Sequence, residues 1–305
     1  MVSLALPTGS LEAPTLELLA AADLPVSRHA PRAYRGTAGH PAVDRVVFHK
    51  PREIPVIVAG GTCDIGLTGA DWVAETGAKV EVVDTLDYSK STRSGWRVVL
   101  AVPEDHPART VADLADGVRV ATEYPAMARE YFRRSGVRAT VLHSHGSTEA
   151  KIPDLADAVV EVVETGSSLR QNDLRVLDTV RRCGVNLVAN PSAWADRTTR
   201  ATIRTLSTLL RAAYAGPLHR LLTIVLPTDR WAHAEPLLPA RWWRLDTGAA
   251  PGLVVLQGVC AAPEAAGVMT SLVERAGAIE IVETPIRRLV RDDLAGAPPR
   301  RDATH

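Results

Sequence analysis

The residues with the clearest chemical potential lie at the end of one apolar stretch. Ala158–Val163 contains a single acidic residue, Glu161, and leads into Glu164, Thr165, Gly166, Ser167, Ser168 and Leu169. A strand-to-helix turn of Gly, Ser and Thr exposes backbone N–H groups and hydroxyls in one concavity, which can hold a phosphate. An acid on the preceding strand could then hold sugar hydroxyls beside that phosphate. The same residue types also cap ordinary helices, so both interpretations stay open here.

The charge balance narrows the class of partner. The 305 residues carry 35 Lys+Arg and 35 Asp+Glu, a formal net charge of zero, and only 4 of the basic residues are lysines. A general nucleic-acid binder would show a strongly basic domain, so we expect no nucleic-acid partner. The chain has 3 cysteines, far apart, which fits a reducing cytoplasm better than a disulfide or zinc framework. No apolar run approaches the roughly 20 residues of a membrane span, so we expect a cytoplasmic protein with no membrane partner.

Elements that would position the polar turn follow an α/β pattern, because short β-branched runs alternate with helical spacing. The predicted strands of the first 190 residues are Val2–Leu6, Val46–Phe48, Asp64–Thr68, Val80–Leu86, Trp96–Val102, Val118–Ala121, Ala139–Leu142, Ala158–Val163, Leu174–Val180 and Asn186–Ala189. The predicted helices are Leu11–Ala22, Arg52–Ala59, Asp71–Thr76, Val111–Leu114, Pro125–Arg134 and a long Trp194–Tyr214. The polar segment Asp87–Gly95 is predicted to be a hinge between two α/β units. From Leu221 a strand–helix–strand–helix–strand pattern resembles a small ferredoxin-like unit.

An ordered set of motifs resembles one known family. These are Leu4–Leu19 (LALPTGSLEAPTLELL), Lys50–Ala78, Asp113–Gly136, His145–Ala150 (HGSTEA), Leu155–Val176 (LADAVVEVVETGSSLRQNDLRV) and, near the end, Gly277–Val290. In this order they resemble ATP phosphoribosyltransferase in its long form, the first enzyme of histidine biosynthesis. Each motif alone is modest, whereas their common order is specific.

The resemblance implies an α/β fold with a two-lobed, periplasmic-binding-protein-like (type II) catalytic core and a C-terminal ferredoxin-like (ACT-like) regulatory domain. The implied boundaries are lobe I at 1–90 and 178–195, lobe II at 91–177, a connecting helix at 196–219, the regulatory domain at 220–291 and a disordered tail at 292–305. It also implies a homo-oligomer, either a dimer or a hexamer, and histidine or another small molecule as an effector of the regulatory domain.

The implied reaction joins 5-phosphoribosyl pyrophosphate to N1 of the adenine of ATP, with Mg²⁺ held mostly by substrate oxygens and water rather than by protein ligands. Glu161 is the implied catalytic residue. The implied phosphoribosyl-pyrophosphate residues are Glu164, Thr165, Gly166, Ser167, Ser168, Leu169, Gly9 and Ser10, and those for ATP are Arg52, Asp64, Gly69, Asp71 and Tyr124. For Asp64 and Asp71, capping of the elements around a buried strand is an equally good interpretation.

Departures from the family pattern keep alternatives open. The chain has Thr8-Gly9-Ser10 where the family has Lys-Gly-Arg or Lys-Gly-Ala, so two cations are missing, and Lys90 and Arg93 could replace them. Ala240–Gly248 stands where the regulatory domain of the family usually has Ser-Pro-Thr-x-x-Pro-Leu, which leaves histidine feedback open. Such a chain could be a working enzyme, a paralogue recruited to specialised nucleoside biosynthesis, or a non-catalytic two-lobed regulatory subunit.

Overall fold

The computed structural model describes residues 1–30, 32–89, 95–245 and 251–290. They form two compact units, Met1–Ser207 and Thr208–His305, whose boundary falls within one helix. Lys90, Arg93 and the predicted tail 292–305 lie outside the described residues. No described helix is long and apolar enough to cross a membrane.

The first unit contains twelve of the described strands, numbered along the chain. They are β1 (Val2–Pro7), β2 (Val26–Ser27), β3 (Arg35–Ala38), β4 (Val43–His49), β5 (Ile65–Gly69), β6 (Glu81–Leu86), β7 (Trp96–Pro103), β8 (Val118–Thr122), β9 (Ala139–His143), β10 (Ala158–Val163), β11 (Leu174–Cys183) and β12 (Val185–Ala189). Its helices are α1 (Glu12–Ala21), α2 (Ile54–Ala59), α3 (Ala70–Thr76), α4 (Pro125–Ser135), α5 (Ser167–Gln171), α6 (Pro191–Ala195) and α7 (Arg197–Ala215), which continues into the second unit.

The first sheet has seven strands in the order β2-β3-β4-β1-β5-β12-β6. The strands β4, β1 and β5 are parallel, so their carboxyl ends meet at one edge. The residues of β1, β5 and β12 are buried throughout, as expected for central strands with near-continuous apolar sequence. This sheet therefore presents the turns that follow β1, β4 and β5 along a common edge.

The second sheet has five strands in the order β11-β7-β10-β8-β9. Strands β10, β8 and β9 are parallel, whereas β7 is antiparallel to both β10 and β11. Residues 178–183, which we expected in the first lobe, belong to this sheet, because β11 pairs with β7 from Leu174 opposite Pro103 to Cys183 opposite Trp96. The chain re-enters the first sheet only at β12, so the return crossing lies near Gly184.

The predicted long helix Trp194–Tyr214 is two helices with a break at Asp196. Asn190 caps α6 by accepting hydrogen bonds from the N–H groups of Ser192 and Ala193, at 2.9 and 3.1 Å. The Asp196 carboxylate then accepts from the Thr199 N–H at 2.7 Å and so starts α7. Two capping side chains six residues apart thus divide one amphipathic pattern into two elements. The predicted helix Val111–Leu114 is a 3₁₀ helix, Val111–Asp113.

The second unit, described apart from residues 246–250 and 291–305, is a βαββαβ unit. Its elements are β13 (His219–Pro227), α8 (Trp231–Ala234), β14 (Arg241–Leu245), β15 (Leu253–Ala261), α9 (Ala265–Ala276) and β16 (Glu280–Pro285). The antiparallel sheet has the order β14-β15-β13-β16, the topology of a ferredoxin-like motif. The strand β14 was not predicted, since its sequence, Arg-Trp-Trp-Arg-Leu, carries no clear alternation.

Candidate active site

The loop after β10 is held in a defined conformation by its own hydrogen bonds. Gly166 has φ +75°, a left-handed conformation that favours glycine, and it ends the strand-to-helix turn before α5. The hydroxyls of Thr165 and Ser167 lie 3.2 Å apart, and Arg170 donates to the Thr165 carbonyl oxygen at 3.1 Å. Thr165, Ser167 and Ser168 are exposed. The loop therefore offers hydroxyls and backbone amides to solvent while its own backbone is held from beneath.

Leu169 and Glu164 contribute differently from the hydroxyl residues of this loop. The Leu169 side chain is buried in the core of the second sheet with Val163 and Leu174, so only its backbone could reach a ligand. Glu164 is half-buried at the end of β10. The loop that can touch a phosphate is thus Thr165 to Ser168, anchored by Leu169.

Glu161 lies on β10 opposite Val99 of β7, with a half-buried side chain. Its Oε1 accepts a hydrogen bond from the Val162 N–H at 2.8 Å. Burial raises the pKa of this carboxyl, and the nearby carboxylates of Glu149 and Glu123 raise it further, while the Val162 N–H and the Thr148 hydroxyl oppose the rise. A carboxylate that is partly desolvated in this way is suited to stabilising positive charge that develops on a substrate.

A cavity of about 720 Å³ opens in the first unit between turns of the two sheets. The first sheet and its helices contribute His49, Arg52, Glu53, Val56, Ile57, Trp72, Glu75 and Thr76. The second sheet contributes Glu123, Pro125, His143, Ser144 and His145. Its volume suits a nucleotide-sized ligand, and its apolar wall with a few polar groups is typical of small-molecule sites.

Of the residues predicted for ATP, Arg52 lines this cavity directly and is exposed. Tyr124 and Asp71 lie behind its wall, where the Tyr124 hydroxyl donates to Asp71 Oδ2 at 2.7 Å and both side chains are buried. The Tyr124 ring packs on Trp72, which does line the cavity, with ring centroids 4.5 Å apart. Burial raises the pKa of the Asp71 carboxyl and that of the Tyr124 hydroxyl. The hydrogen-bonded pair Asp71–Tyr124 therefore supports the cavity wall, and the raised pKa of the Tyr124 hydroxyl keeps the proton on that hydroxyl.

Gly69 is another residue that the family resemblance implied for ATP, and it lies next to the Asp71–Tyr124 pair. It precedes α3, and a Cβ added to it would overlap the Asp71 carboxylate and approach the Trp96 ring. A larger residue would displace the Asp71–Tyr124 pair, so glycine is required here by packing rather than by contact with a ligand.

Asp64 is placed elsewhere, which corrects the predicted ATP site. It precedes β5, at the edge of the first sheet opposite to Gly69, and its Oδ2 accepts from both the N–H and the hydroxyl of Ser3, each at 2.7 Å. The Asp64 N–H in turn donates to the Ser3 hydroxyl oxygen at 3.0 Å. Asp64 therefore ties the starts of β1 and β5 together and does not face the cavity.

Gly9 and Ser10 occupy the turn after β1. Gly9 has φ +82° with nothing within 4 Å of where its Cβ would be, and Ser10 is exposed. The turn is held by Thr8, whose N–H and hydroxyl both donate to the carbonyl oxygen of His49, a residue that lines the cavity. The turn thus lies beside the cavity edge and has open space around it.

Sequence reasoning missed several cavity residues. These are His49, Trp72, Glu75, Glu123 and His143, and His145, which the sequence showed only as part of the motif HGSTEA, lines the cavity too. His49 and His143 are the last residues of β4 and β9, and Glu123 follows β8. In α/β sheets, ligands bind outside the carboxyl ends of parallel strands, so a search of those positions would have found them.

Comparison with known proteins identifies the family. The family model described as HisG, ATP phosphoribosyltransferase, matches residues 50–212. A relative named ATP phosphoribosyltransferase from Koribacter versatilis is 37% identical over 287 residues, 94% of this chain and 98% of that protein. One of the same name from Chlorobium phaeovibrioides is 42% identical over 213 residues, 70% of this chain and 71% of that protein.

A solved structure supports the fold. The chain aligns with the ATP phosphoribosyl transferase (HisG:HisZ) complex from Thermotoga maritima with a TM-score of 0.56 and 24% identity, covering 69% of this chain and 96% of that chain. The α/β architecture of mixed sheets is therefore shared with that structure. Together with the full-length similarity to the relatives, these matches show that this chain belongs to the ATP phosphoribosyltransferase family.

Proposed function

We propose that this chain transfers the 5-phosphoribosyl group of 5-phosphoribosyl 1-pyrophosphate to N1 of the adenine of ATP, the first step of histidine biosynthesis. One observation carries the proposal. The segment after β9 lines the cavity with His143, Ser144 and His145, and four residues later Glu149 accepts a hydrogen bond from the Ser168 hydroxyl at 2.5 Å. One segment thus connects a nucleotide-sized cavity with the loop that suits a sugar phosphate.

The chemistry fits these groups. The N1 lone pair attacks C1 of the ribose while the bond from C1 to the pyrophosphate oxygen breaks, and pyrophosphate leaves with that electron pair. The sugar becomes cationic in the transition state, so catalysis depends on orientation and electrostatic stabilisation. The Thr165–Ser168 loop would hold the 5-phosphate, and the Glu161 carboxylate would hold ribose hydroxyls and stabilise the cationic sugar.

Arg52 supports binding of a polyphosphate. Arg52 lines the cavity, and the planar fork of a guanidinium can bind two phosphate oxygens at once. The carboxylates of Glu53, Glu75 and Glu123 line the same cavity. A polyanion entering this site therefore needs a neutralising partner of its own.

Mg²⁺ is the partner we propose, brought in with the substrate. In the part of the chain that the structure describes, no three His, Cys, Asp or Glu side chains cluster in a way that could hold a metal ion. Mg²⁺ keeps several waters and binds through substrate phosphates and at most a few carboxylates, so we propose that substrate oxygens and water hold it. Bound there, it would neutralise the departing pyrophosphate.

For the finer architecture, we propose a periplasmic-binding-protein-like core and an ACT-like regulatory domain. The two sheets with two crossings support the former, and the βαββαβ topology of the second unit supports the latter. In that unit the Trp242 ring packs edge-on against Trp231 at 5.0 Å and joins the core, so the Trp-rich replacement segment has a structural role. We further propose a homo-oligomer with histidine as the effector.

The test is a coupled assay of the purified chain with ATP, phosphoribosyl pyrophosphate and Mg²⁺. We expect pyrophosphate release together with a rise in ultraviolet absorbance as adenine is alkylated at N1. Absence of both signals, with binding of either ligand retained in calorimetry, would contradict the enzyme and support a non-catalytic ligand-binding subunit.

A further inference from the structure

The helix α3, which follows a strand of the first sheet, contacts the helix α4, which follows a strand of the second sheet, at one side of the cavity. Glu75, near the end of α3, accepts hydrogen bonds from the N–H groups of Ala126 and Met127 at the start of α4, at 2.9 and 2.8 Å. The two bonds use different oxygens of one carboxylate. Glu75 and Pro125 both line the cavity, so this contact forms part of its wall.

The start of α4 depends on this contact for its cap. The residue before the helix, Tyr124, makes no side-chain capping hydrogen bond, and the first helical residue is Pro125. The first N–H groups of a helix have no partner within the helix and normally take one from a capping side chain nearby in sequence. Here the cap comes from a residue some fifty positions earlier, on the helix α3 that follows β5 of the first sheet. The partial positive charge at a helix start favours a carboxylate in that position.

A second contact lies one helical turn away on the same face of α3. Asp71 and Glu75 are separated by four residues, so their side chains project to one side of the helix. Asp71 accepts from the Tyr124 hydroxyl, while Glu75 caps the helix that follows Tyr124. Two contacts about 6 Å apart along α3 fix the angle between α3 and α4, whereas α4 could rotate about a single contact.

We propose that Glu75 is a positioning residue, which sets the angle between the two sheets and thereby aligns ATP in the cavity with the ribose held by the second sheet. The kinetic part of this inference rests on the proposed function, and the geometric part does not. Without Glu75 the sheets keep the Asp71–Tyr124 contact but sample a wider range of angles. The reacting atoms then meet in a smaller fraction of encounters.

The geometric test measures distances between spin labels on the two sheets. Exposed positions are available at Asp44 on β4 and Arg129 on α4, and the three native cysteines are buried. In labelled Asp44→Cys/Arg129→Cys protein, adding Glu75→Ala should broaden the distance distribution. Adding Glu75→Gln should broaden it less, because the amide oxygen still accepts one N–H. Glu17→Gln, at an exposed position of α1, is the matched control and should leave the distribution unchanged.

The kinetic test separates positioning from general damage. Glu75→Ala should lower kcat/KM for ATP about ten-fold, because the reacting atoms are aligned in a smaller fraction of encounters, with partial rescue in Glu75→Gln. The Kd for ribose 5-phosphate, a probe of the Thr165–Ser168 loop alone, should stay within about two-fold. An unchanged distance distribution in Glu75→Ala would overturn the inference, as would an equal loss of ribose 5-phosphate affinity. If the unsubstituted chain shows no turnover, the proposed function fails and the distance measurement still decides the role of Glu75.

Discussion

Two strand-to-helix turns that we assign to one substrate are built in opposite ways. The turn after β10, which we call the enclosed turn, is held by its own contacts while its hydroxyl side chains remain exposed: the Ser168 hydroxyl donates to Glu149, Arg170 donates to the Thr165 carbonyl oxygen, and Leu169 is buried. The turn after β1 is open, with no atom within 4 Å of a Cβ placed on Gly9. The enclosed turn can orient a phosphate through its own geometry, whereas the open turn has room for substrate but supplies no cation. Under the proposed function, we therefore expect the second sheet to provide most of the recognition of the phosphoribosyl group.

The largest difference between the two turns should appear when the activity of Gly166→Ala is compared with that of Gly9→Ala. Both glycines have a positive φ, which L side chains rarely adopt, but a Cβ on Gly166 would in addition lie 3.0 Å from Arg170 Nη1 and displace the side chain that donates to the Thr165 carbonyl oxygen. We expect kcat/KM to fall at least about 100-fold for Gly166→Ala, since small misplacements of bound groups have effects of that size. Gly9→Ala should stay within about five-fold. Equal losses in the two variants, measured by initial rates, would show that the enclosed loop is not the principal phosphate site.

Glu161→Gln tests the charge beside the enclosed turn. Loss of the carboxylate should lower kcat about 10- to 100-fold, because an electrostatic partner of the cationic sugar is removed. For the parent protein, kcat/KM should fall as pH is lowered through the raised pKa of Glu161. This acid limb should be absent from the pH profile of the variant.

The same substitution makes an opposite prediction for stability. A carboxyl whose pKa is raised by folding binds its proton more tightly in the folded state, so its contribution to stability is lost as pH rises. Glu161→Gln should therefore raise the free energy of unfolding at neutral pH and have little effect below about pH 4. A variant that is less stable at pH 7 in urea titration would contradict the burial described for Glu161.

Asp64→Asn separates the two edges of the first sheet. Because Asp64 binds Ser3 at the edge away from the cavity, KM for ATP should be unchanged. The free energy of unfolding should drop by about 1 kcal/mol, since the charge-assisted hydrogen bonds to Ser3 are weakened. A higher KM at unchanged stability would return Asp64 to the ATP site.

Ser10→Arg should give the smallest change in kinetics, and it tests whether the open turn approaches the pyrophosphate. A cation placed there should lower KM for phosphoribosyl pyrophosphate about three-fold, and the gain should shrink at high salt because an exposed charge is screened. Ser167→Arg would be a poor equivalent, since that hydroxyl lies within the enclosed loop. No change of KM at low salt would show that the open turn does not approach the pyrophosphate.

Local sequence predicted most of the fold, because its strands carry strong apolar patterns. β10 has the predicted bounds, and the loop residues 164–169 follow it as expected. The break at Asp196 escaped prediction because periodicity continues through it and only the capping bonds interrupt the helix. The full length of β11 also escaped, since its second half is polar and is held by pairing with β7.

The site was less predictable than the fold, because its residues meet through tertiary pairing. The family resemblance implied ATP-binding roles for Tyr124 and Asp71, with capping as the alternative for Asp71, yet their side chains bond to each other behind the cavity wall. For Asp64 the contacts with Ser3 favour the structural interpretation over ATP binding, because a residue before a strand lies at the opposite sheet edge from one after it. Glu75 gave no local signal at all, since its partners lie in another lobe.

Mass spectrometry of the products formed from ATP, phosphoribosyl pyrophosphate and Mg²⁺ tests the central claim most directly. The account predicts a product with the mass of ATP plus one phosphoribosyl group, equimolar with pyrophosphate, and its loss in Gly166→Ala. A repeat with excess histidine would show whether the second unit transmits feedback. Formation of that product at the same rate in Gly166→Ala would contradict the assignment of the phosphoribosyl site to the loop after β10.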